Sequence, residues 1–231
     1  MVNEQKLVVL TGAGMSAESG ISTFRDAGGL WEGFDIMEVA SPQGWRKNRQ
    51  LVLDFYNQRR KNVLDAIPNA AHYAIAELDN KYHTTIITQN VDNLHERAGS
   101  KNIIHLHGEI TKSRSTVDNN LVYDIKGHEL NIGDQCEKGS QLRPHIVWFG
   151  ESVPEIFTAS EIVSEADLVI VIGTSLAVYP AASLLNYTDK KTPVYYIDPA
   201  IPEFKFRPNV VHIQQKATEG VQTMIKKYMK D

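Results

Sequence analysis

The chain has 231 residues, of which 42% are hydrophobic, and a formal net charge of −4. That supports one sizeable core, or a large domain with a small one attached, and gives no electrostatic footing for nucleic acid. No apolar run approaches the ~18 residues of a membrane span, MVNEQK does not read as a signal peptide, and the single cysteine, Cys136, excludes an internal disulfide and a four-cysteine zinc site. We therefore expect a soluble, cytoplasmic protein, and take a monomer as the working expectation, since oligomeric state is not legible in the sequence.

In chain order, an apolar run at 7–10 reads as a buried strand that breaks at once into Thr11-Gly12-Ala13-Gly14. Glycines there let the backbone approach a ligand closely. A helix start near Ser16 would aim its free N–H groups and positive dipole end at an anion. Residues 27–48 hold Gly28, Gly29, Gly33, Pro42 and Gly44 among Trp31, Phe34 and Trp45, and read as a long loop with little helix, able to close over a ligand. Helices are predicted at 49–66 and 69–81, the latter capped by Asn69 after Pro68. Strands follow at 84–88 and 103–106. The polar stretch 109–142 reads as a small inserted module with one short strand at 121–123. Then come a strand at 146–148, a helix at 157–166, and strands at 168–172, 194–197 and 210–213. The last helix, 217–229, carries Val221, Met224, Ile225 and Tyr228 at i, i+3, i+4 and i+7. Continuous apolar strands alternating with helices predict an α/β fold, a mostly parallel sheet covered on both faces.

Gly12-x-Gly14-x-x-Ala17 after a strand fits the dinucleotide fingerprint with alanine in third place. A dehydrogenase of that type also needs a second strand ending in an acid roughly 20 residues on. Asp35 is near that distance, but 28–34 is too rich in glycine and aromatics to be a buried strand. The adenosine end must be held elsewhere. Gly173-Thr174-Ser175 follows the strand at 168–172, and its small side chains suit a phosphate or ribose as well as a plain helix cap. Asp198 ends the strand at 194–197, where it either accepts from ribose hydroxyls or starts a turn before Pro199.

These residues converge on one family. GAGMSAESGISTFRD (12–26), TQNVDNLH (88–95), HLHGE (105–109), RPHIVWFGE (143–151), IGTSLAVYPAA (172–182) and KATEG (216–220) resemble the sirtuins, NAD-dependent protein lysine deacylases, in order and over nearly the whole chain. The resemblance implies a single catalytic domain over 1–231. A Rossmann-like core would comprise 1–26, 68–108 and 143–231, with a cofactor loop and helical part of the small module at 27–67 and a degenerate zinc module at 109–142. NAD would be consumed as a co-substrate. Gly12, Ala13, Gly14 and Ser16 would hold its pyrophosphate end, with Phe24, Arg25 and Trp31 beside the cofactor. Gln89, Asn90 and Asp92 would line the ribose and nicotinamide pocket. Gly173, Thr174, Ser175 and Asp198 would hold the adenosine ribose, and the backbone of Ala217 the adenine. His107 would be the general base, with Asn90 and Asp92 as catalytic partners. Val147, Trp148 and Phe149 would pair with the acylated peptide as an added strand. Histidine suits the base role because its pKa lies near working pH.

Read from the residues alone, a lone strand histidine such as His107 is most often structural, and a metal pair with His105 is a further alternative. Asn90 and Asp92 could be caps, and His95 could support a helix start. On the helix 49–66, Tyr56 and Arg59 share a face at i, i+3, extended by Val52 and Val63. A guanidinium beside a phenol makes a fork for a carboxylate. The pair resembles the Tyr-x-x-Arg signature of sirtuins that remove succinyl, malonyl and glutaryl groups. The alternative is that Arg59, Arg60 and Lys61 form one solvated basic face. Most sirtuins hold a structural zinc with four cysteines. Here Ser113 and Ser115 stand near the first pair and only Cys136 remains of the second, so no zinc is expected. Ser22 replaces the family's frequent proline, and Asp198 its frequent asparagine. The competing functions are a protein mono-ADP-ribosyltransferase and a weakly catalytic NAD-binding interaction protein.

Overall fold

The computed structural model describes residues 5–23, 30–31, 33–176, 178–202 and 206–229. Phe24 and Arg25, two of the predicted cofactor residues, lie outside them. The elements run β1 (Lys6–Thr11), α1 (Gly14–Ala17), β2 (Leu30–Trp31), β3 (Phe34–Asp35), α2 (Ile36–Val39), α3 (Pro42–Lys47), α4 (Arg49–Asp65) and α5 (Ala70–Glu77). A 3-10 turn, Leu78–Asn80, leads to β4 (His83–Thr88), α6 (Leu94–Arg97), β5 (Ile103–His105), β6 (Gly108–Ser115), β7 (Val122–Asp124) and β8 (Leu142–Ile146). The chain ends with α7 (Ile156–Ser164), β9 (Leu168–Ile172), a 3-10 segment Ala181–Tyr187, β10 (Val194–Ile197), β11 (Val210–Ile213) and α8 (Ala217–Tyr228).

Six of these strands form one sheet in the order β11-β10-β9-β1-β4-β5, every pair parallel. Side chains alternate across it. Leu7, Val9, Ile86, Ile170 and Ile172 point to one face, under Ala71 and Ile75 of α5 and Ala217, Val221 and Met224 of α8. Val8, Leu10, Ile87, Val169 and Val171 point to the other, under Ala159 and Val163 of α7 and Ala181 and Leu184. Two buried faces are why these strands read as unbroken apolar runs. Each fully buried aliphatic side chain contributes about 1.5–3 kcal/mol. Asn69 caps α5, its Oδ1 accepting from the N–H groups of Ala71 and His72 while His72 Nδ1 accepts from Asn69 N.

A third core joins α2, α3 and α4 to β6 and β8 through Val39, Trp45, Leu53, Phe55, Tyr56, Ile110, Ile146 and Trp148. Here β7-β6-β8 make a small antiparallel sheet. Two expectations need correction. The stretch 27–48 contains two helices: Asp35 accepts from Met37 N at the start of α2, and Ser41 accepts from Gly44 N at the start of α3, with Pro42 in the first turn. Gly44 is not a breaker; a Cβ there would lie 2.1 Å from the carbonyl oxygen of Glu38, so glycine lets the two helices touch. The strand predicted at 146–148 lies instead at Leu142–Ile146, with Pro144 on an edge strand where its missing N–H costs nothing.

Arg59, Arg60 and Lys61 are not one solvated face. Arg59 and Arg60 are buried and Lys61 is exposed. Arg60 donates from Nε to the Ile110 carbonyl (2.6 Å) and from Nη1 to the His128 carbonyl (2.7 Å) and Asn57 Oδ1 (2.8 Å), bolting α4 to the module. Of the two serines that stand near the family's first cysteine pair, Ser115 meets Ser140 at 2.9 Å and Cys136 at 3.4 Å, with Cys136 also 3.1 Å from Ser140. Ser113 faces the Tyr123 carbonyl instead. Lys138 pairs with Asp118 beside this cluster.

Candidate active site

The sheet order reverses between β1 and β9: β1 is followed outward by β4, and β9 by β10. In open α/β sheets a ligand binds at the carboxyl ends of the strands at such a switch point. The turns leaving these two strands are locked together there. Gly12 N donates to the Ile172 carbonyl (3.0 Å) and Gly14 N to the Gly173 carbonyl (2.9 Å). A Cβ on Gly12 would sit 2.7 Å from Thr174 Cβ, and one on Gly14 2.7 Å from Gly173 Cα. Gly173 itself has φ +61°, and Leu176 holds the left-handed region at φ +53°. That conformation is uncommon outside glycine and is held here by Leu176 N donating to Thr174 Oγ1 (3.1 Å).

A second turn, 88–92, enters the same place from β4. Gln89 N donates to the Thr11 carbonyl, and Gln89 Nε2 to Thr174 Oγ1 at 3.0 Å. The carbonyls of 88 to 91 are each held from the segment 105–110. Thr88 O accepts from Leu106 N, Gln89 O from His107 Nδ1 (3.0 Å), Asn90 O from His105 Nδ1 (3.1 Å), and Val91 O from Ile110 N. A carbonyl only accepts, so His107 carries its hydrogen on Nδ1 and keeps the lone pair on Nε2. Burial holds its pKa below the ordinary histidine value despite that hydrogen bond, so the ring is neutral at pH 7.

His105 does not pair with His107 for a metal. Its Nε2 lies 2.6 Å from Glu96 Oε1. Burial disfavours its charge, but Glu96, Glu109 and the Asn90 carbonyl outweigh that and raise its pKa. Glu96, His105 and Glu109 gather their ligand atoms within 4.8 Å, yet Glu96 is paired with His105 and Glu109 with Lys112, which leaves a closed ion-pair network.

The polar floor is a directed chain. Asn90 Nδ2 donates to Ser16 Oγ (3.1 Å), and Ser16 Oγ donates to Asp92 Oδ2 (2.9 Å). Asp92 Oδ1 also caps α6 by accepting from Leu94 N. Burial pushes the Asp92 carboxyl up, and those two donors oppose the shift. Sequence reasoning missed the layer beneath. Thr11 Oγ1 donates to Thr88 Oγ1 (2.8 Å), which also accepts from Asn90 N, so Thr11 Oγ1 takes its other bond from His95 Nε2 (3.1 Å). The available signal was a threonine ending each of two adjacent apolar strands.

Beside the β9 turn, Asp198 is buried at the end of β10, with Oδ1 accepting from Ala200 N. Ala217 is the buried first residue of α8. Ser175 follows Thr174, whose carbonyl accepts from Tyr196 Oη (2.7 Å). On the other side, Trp31 stacks edge-on with Phe55 (5.1 Å) and Tyr56 (6.5 Å), and the Arg59 guanidinium lies 4.2 Å from the Trp31 ring centre. Tyr56 is fully buried, its Oη accepting from Trp148 Nε1 (3.0 Å). Trp148 is a core side chain beneath the Arg143 guanidinium at 3.3 Å. The N–H groups of Val147, Trp148 and Phe149 donate within the chain, to His107 O, Glu151 Oε2 and Ala40 O. An added strand would have to use the carbonyl side of this segment.

Comparison with known proteins gives these features a family. Over 223 residues the chain is 56% identical to an NAD-dependent protein deacylase of Helicobacter pylori, covering 96% of this chain and 95% of that one. A Sir2 homologue solved with ADP-ribose superposes with a TM-score of 0.87 at 40% identity, over 97% of this chain and 92% of the other. A Sir2 protein solved with a deacetylated p53 peptide and 3′-O-acetyl ADP-ribose gives 0.83 at 28% identity, over 99% and 96%. The Sir2 family model matches residues 12–180, and the chain belongs to the Sir2 family.

Proposed function

We propose that this Sir2 enzyme, an NAD-dependent protein deacylase, prefers lysine acyl groups that end in a carboxylate, succinyl and malonyl, and removes acetyl as well. The observation that carries the preference is Arg59: a guanidinium buried at 6% exposure, stacked on Trp31, on the same face of α4 as the buried phenol of Tyr56. Tyr56 Oη accepts from Trp148, so its own hydrogen can donate to an acyl carboxylate. Burial holds the phenol well above its usual pKa, so that hydrogen is retained at neutral pH. An acetyl group offers this fork nothing to bind.

The residues fit NAD. At the switch point the paired glycine turns leave no space for a Cβ, and buried hydroxyl, amide and carboxylate groups converge beside them. Gly12, Ala13, Gly14 and Ser16 take the pyrophosphate end. Gln89, Asn90 and Asp92 take the nicotinamide ribose, with Phe24, Arg25 and Trp31 from the cofactor loop. Gly173, Thr174, Ser175 and Asp198 take the adenosine ribose, and Ala217 the adenine. When bound, NAD would supply an electrophilic ribose carbon, C1′, for the acyl oxygen of lysine, with nicotinamide as the leaving group. His107 Nε2, neutral and unbonded to the 88–92 turn, takes the proton of a ribose hydroxyl. Asn90 and Asp92 stay oriented through Ser16. The carbonyls of Val147 and Phe149 face the peptide. One water, added at the acyl carbon once the ribose hydroxyl has attacked it, would release the lysine amine, so acyl-lysine, NAD and water would give free lysine, nicotinamide and O-acyl-ADP-ribose.

The test is steady-state kinetics on one peptide carrying acetyl-, succinyl- or malonyl-lysine. A kcat/KM for succinyl or malonyl above that for acetyl supports the proposal, and a preference for acetyl sinks it.

A further inference from the structure

We propose that Glu18 is a positioning residue for NAD, clasping helix α8 to the glycine-turn helix α1 and so setting the distance between the two ends of the site. The inference rests on the placement of pyrophosphate and adenine given above. Lys216, the N-cap of α8, makes no capping bond with its side chain. The cap comes from 200 residues away. Glu18 Oε2 accepts from Thr218 N at 3.0 Å, and Glu18 Oε1 accepts from Thr218 Oγ1 at 2.8 Å. One carboxylate thus engages two donors of one residue, at the positive end of a twelve-residue helix.

Glu18 is the residue that closes α1, one turn beyond Gly14. Thr218 follows Ala217. The clasp therefore joins the residue after the phosphate helix to the residue after the adenine contact. Beneath it, Met15, Ile197, Ala217 and Val221 share one core. Gly220 brings α8 so close that a Cβ there would meet Ile197 Cγ2 at 2.3 Å. Packing thus fixes the depth of α8 against the sheet, while at the exposed mouth Glu18 holds its first turn. Without the clasp, the inner side of that turn keeps its packing on Met15 and Ile197 but its exposed side loses its tie to α1, and a ligand reaching from Gly14 to Ala217 meets a less firmly set span.

The test is calorimetric binding of ADP-ribose to wild type, Glu18→Ala, Glu18→Gln and Thr218→Val, with KM for NAD, KM for acyl peptide, kcat and melting temperature on each. Loss of a charged cap predicts about five- to tenfold weaker ADP-ribose and a matching rise in KM for NAD in Glu18→Ala. Glu18→Gln, which keeps an acceptor for Thr218 N, and Thr218→Val, which keeps that N–H, should fall between. Peptide KM and kcat at saturating NAD should hold. A lowered melting temperature with unchanged ADP-ribose affinity would make Glu18 a stabilising cap only and overturn the proposal. So would an equal loss of peptide affinity. If wild type itself fails to bind ADP-ribose, the cofactor placement fails instead.

Discussion

Arg59→Met is the sharpest probe of acyl preference. Methionine keeps most of the length and puts an apolar side chain where the guanidinium lies over Trp31, so the aromatic wall of Trp31, Phe55 and Tyr56 should persist. What is lost is one charged fork in a site where Arg59 is only 6% exposed, so solvent screening is weak. A charge-assisted hydrogen bond of this kind is worth about 1.5–3 kcal/mol, which corresponds to roughly a 10- to 150-fold loss of kcat/KM on succinyl- and malonyl-lysine. Acetyl-lysine makes no such bond and should change by no more than about twofold. The assay measures both substrates in one tube, so active-site concentration cancels. Equal losses on acetyl and succinyl would refute the carboxylate pocket, because they would mean Arg59 supports the fold or the cofactor.

Three further outcomes are expected. Because His107 has a pKa held below the usual histidine value, kcat/KM should be flat at neutral pH and fall only below about 6.5, with His107→Ala costing about 10²- to 10⁴-fold in kcat; a limb centred above 7 contradicts this. His72 and His95 are buried with pKa values pushed down to about 4 and about 3 by desolvation, against 6.5 when exposed. The unfolded chain therefore binds protons that the folded chain refuses. Their contribution is complete above 6.5 and is lost as pH falls toward those lower values, about 2 kcal/mol each by about pH 5. Urea midpoints at the two pH values, with and without His95→Asn, check it, and an unchanged acid loss in the variant counts against it. Strong chelators should leave the melting temperature unchanged, since Ser115, Ser140 and Cys136 hold one another by hydrogen bonds; a drop would mean that a metal is present.

The parallel sheet was legible because β1, β9 and β10 are buried on both faces and so spell apolar runs such as LVIVI, while β4 shows as a β-branched stretch, TTIIT. The glycine turns were legible for a similar reason, since close backbone approach excludes side chains. What was not legible was made by contact across long separations. Gly44 looked like a chain breaker but is required by the approach of Glu38. Ser41-Pro42 was a readable helix start, overlooked among glycines and aromatics. The apolar triad at 146–148 looked like a strand, whereas pairing belongs to the polar LRPHI before it. Arg60 looked like a surface charge, and only the carbonyls of Ile110 and His128 explain its burial. The candidate site followed the same division. Gln89, Asn90, Asp92 and His107 stood out as motifs. Holding the 88–91 carbonyls from 105–110, and placing Glu18 on Thr218, needed the fold.

Cleavage of NAD coupled to departure of the acyl group from lysine underlies every role proposed for the site. Its most direct test is mass spectrometry of one reaction with NAD and succinyl-lysine peptide. Free peptide, nicotinamide and O-succinyl-ADP-ribose should form in equal amounts, with none when NAD is omitted. Free succinate with NAD unconsumed, or ADP-ribose attached to protein with the peptide still acylated, would contradict it.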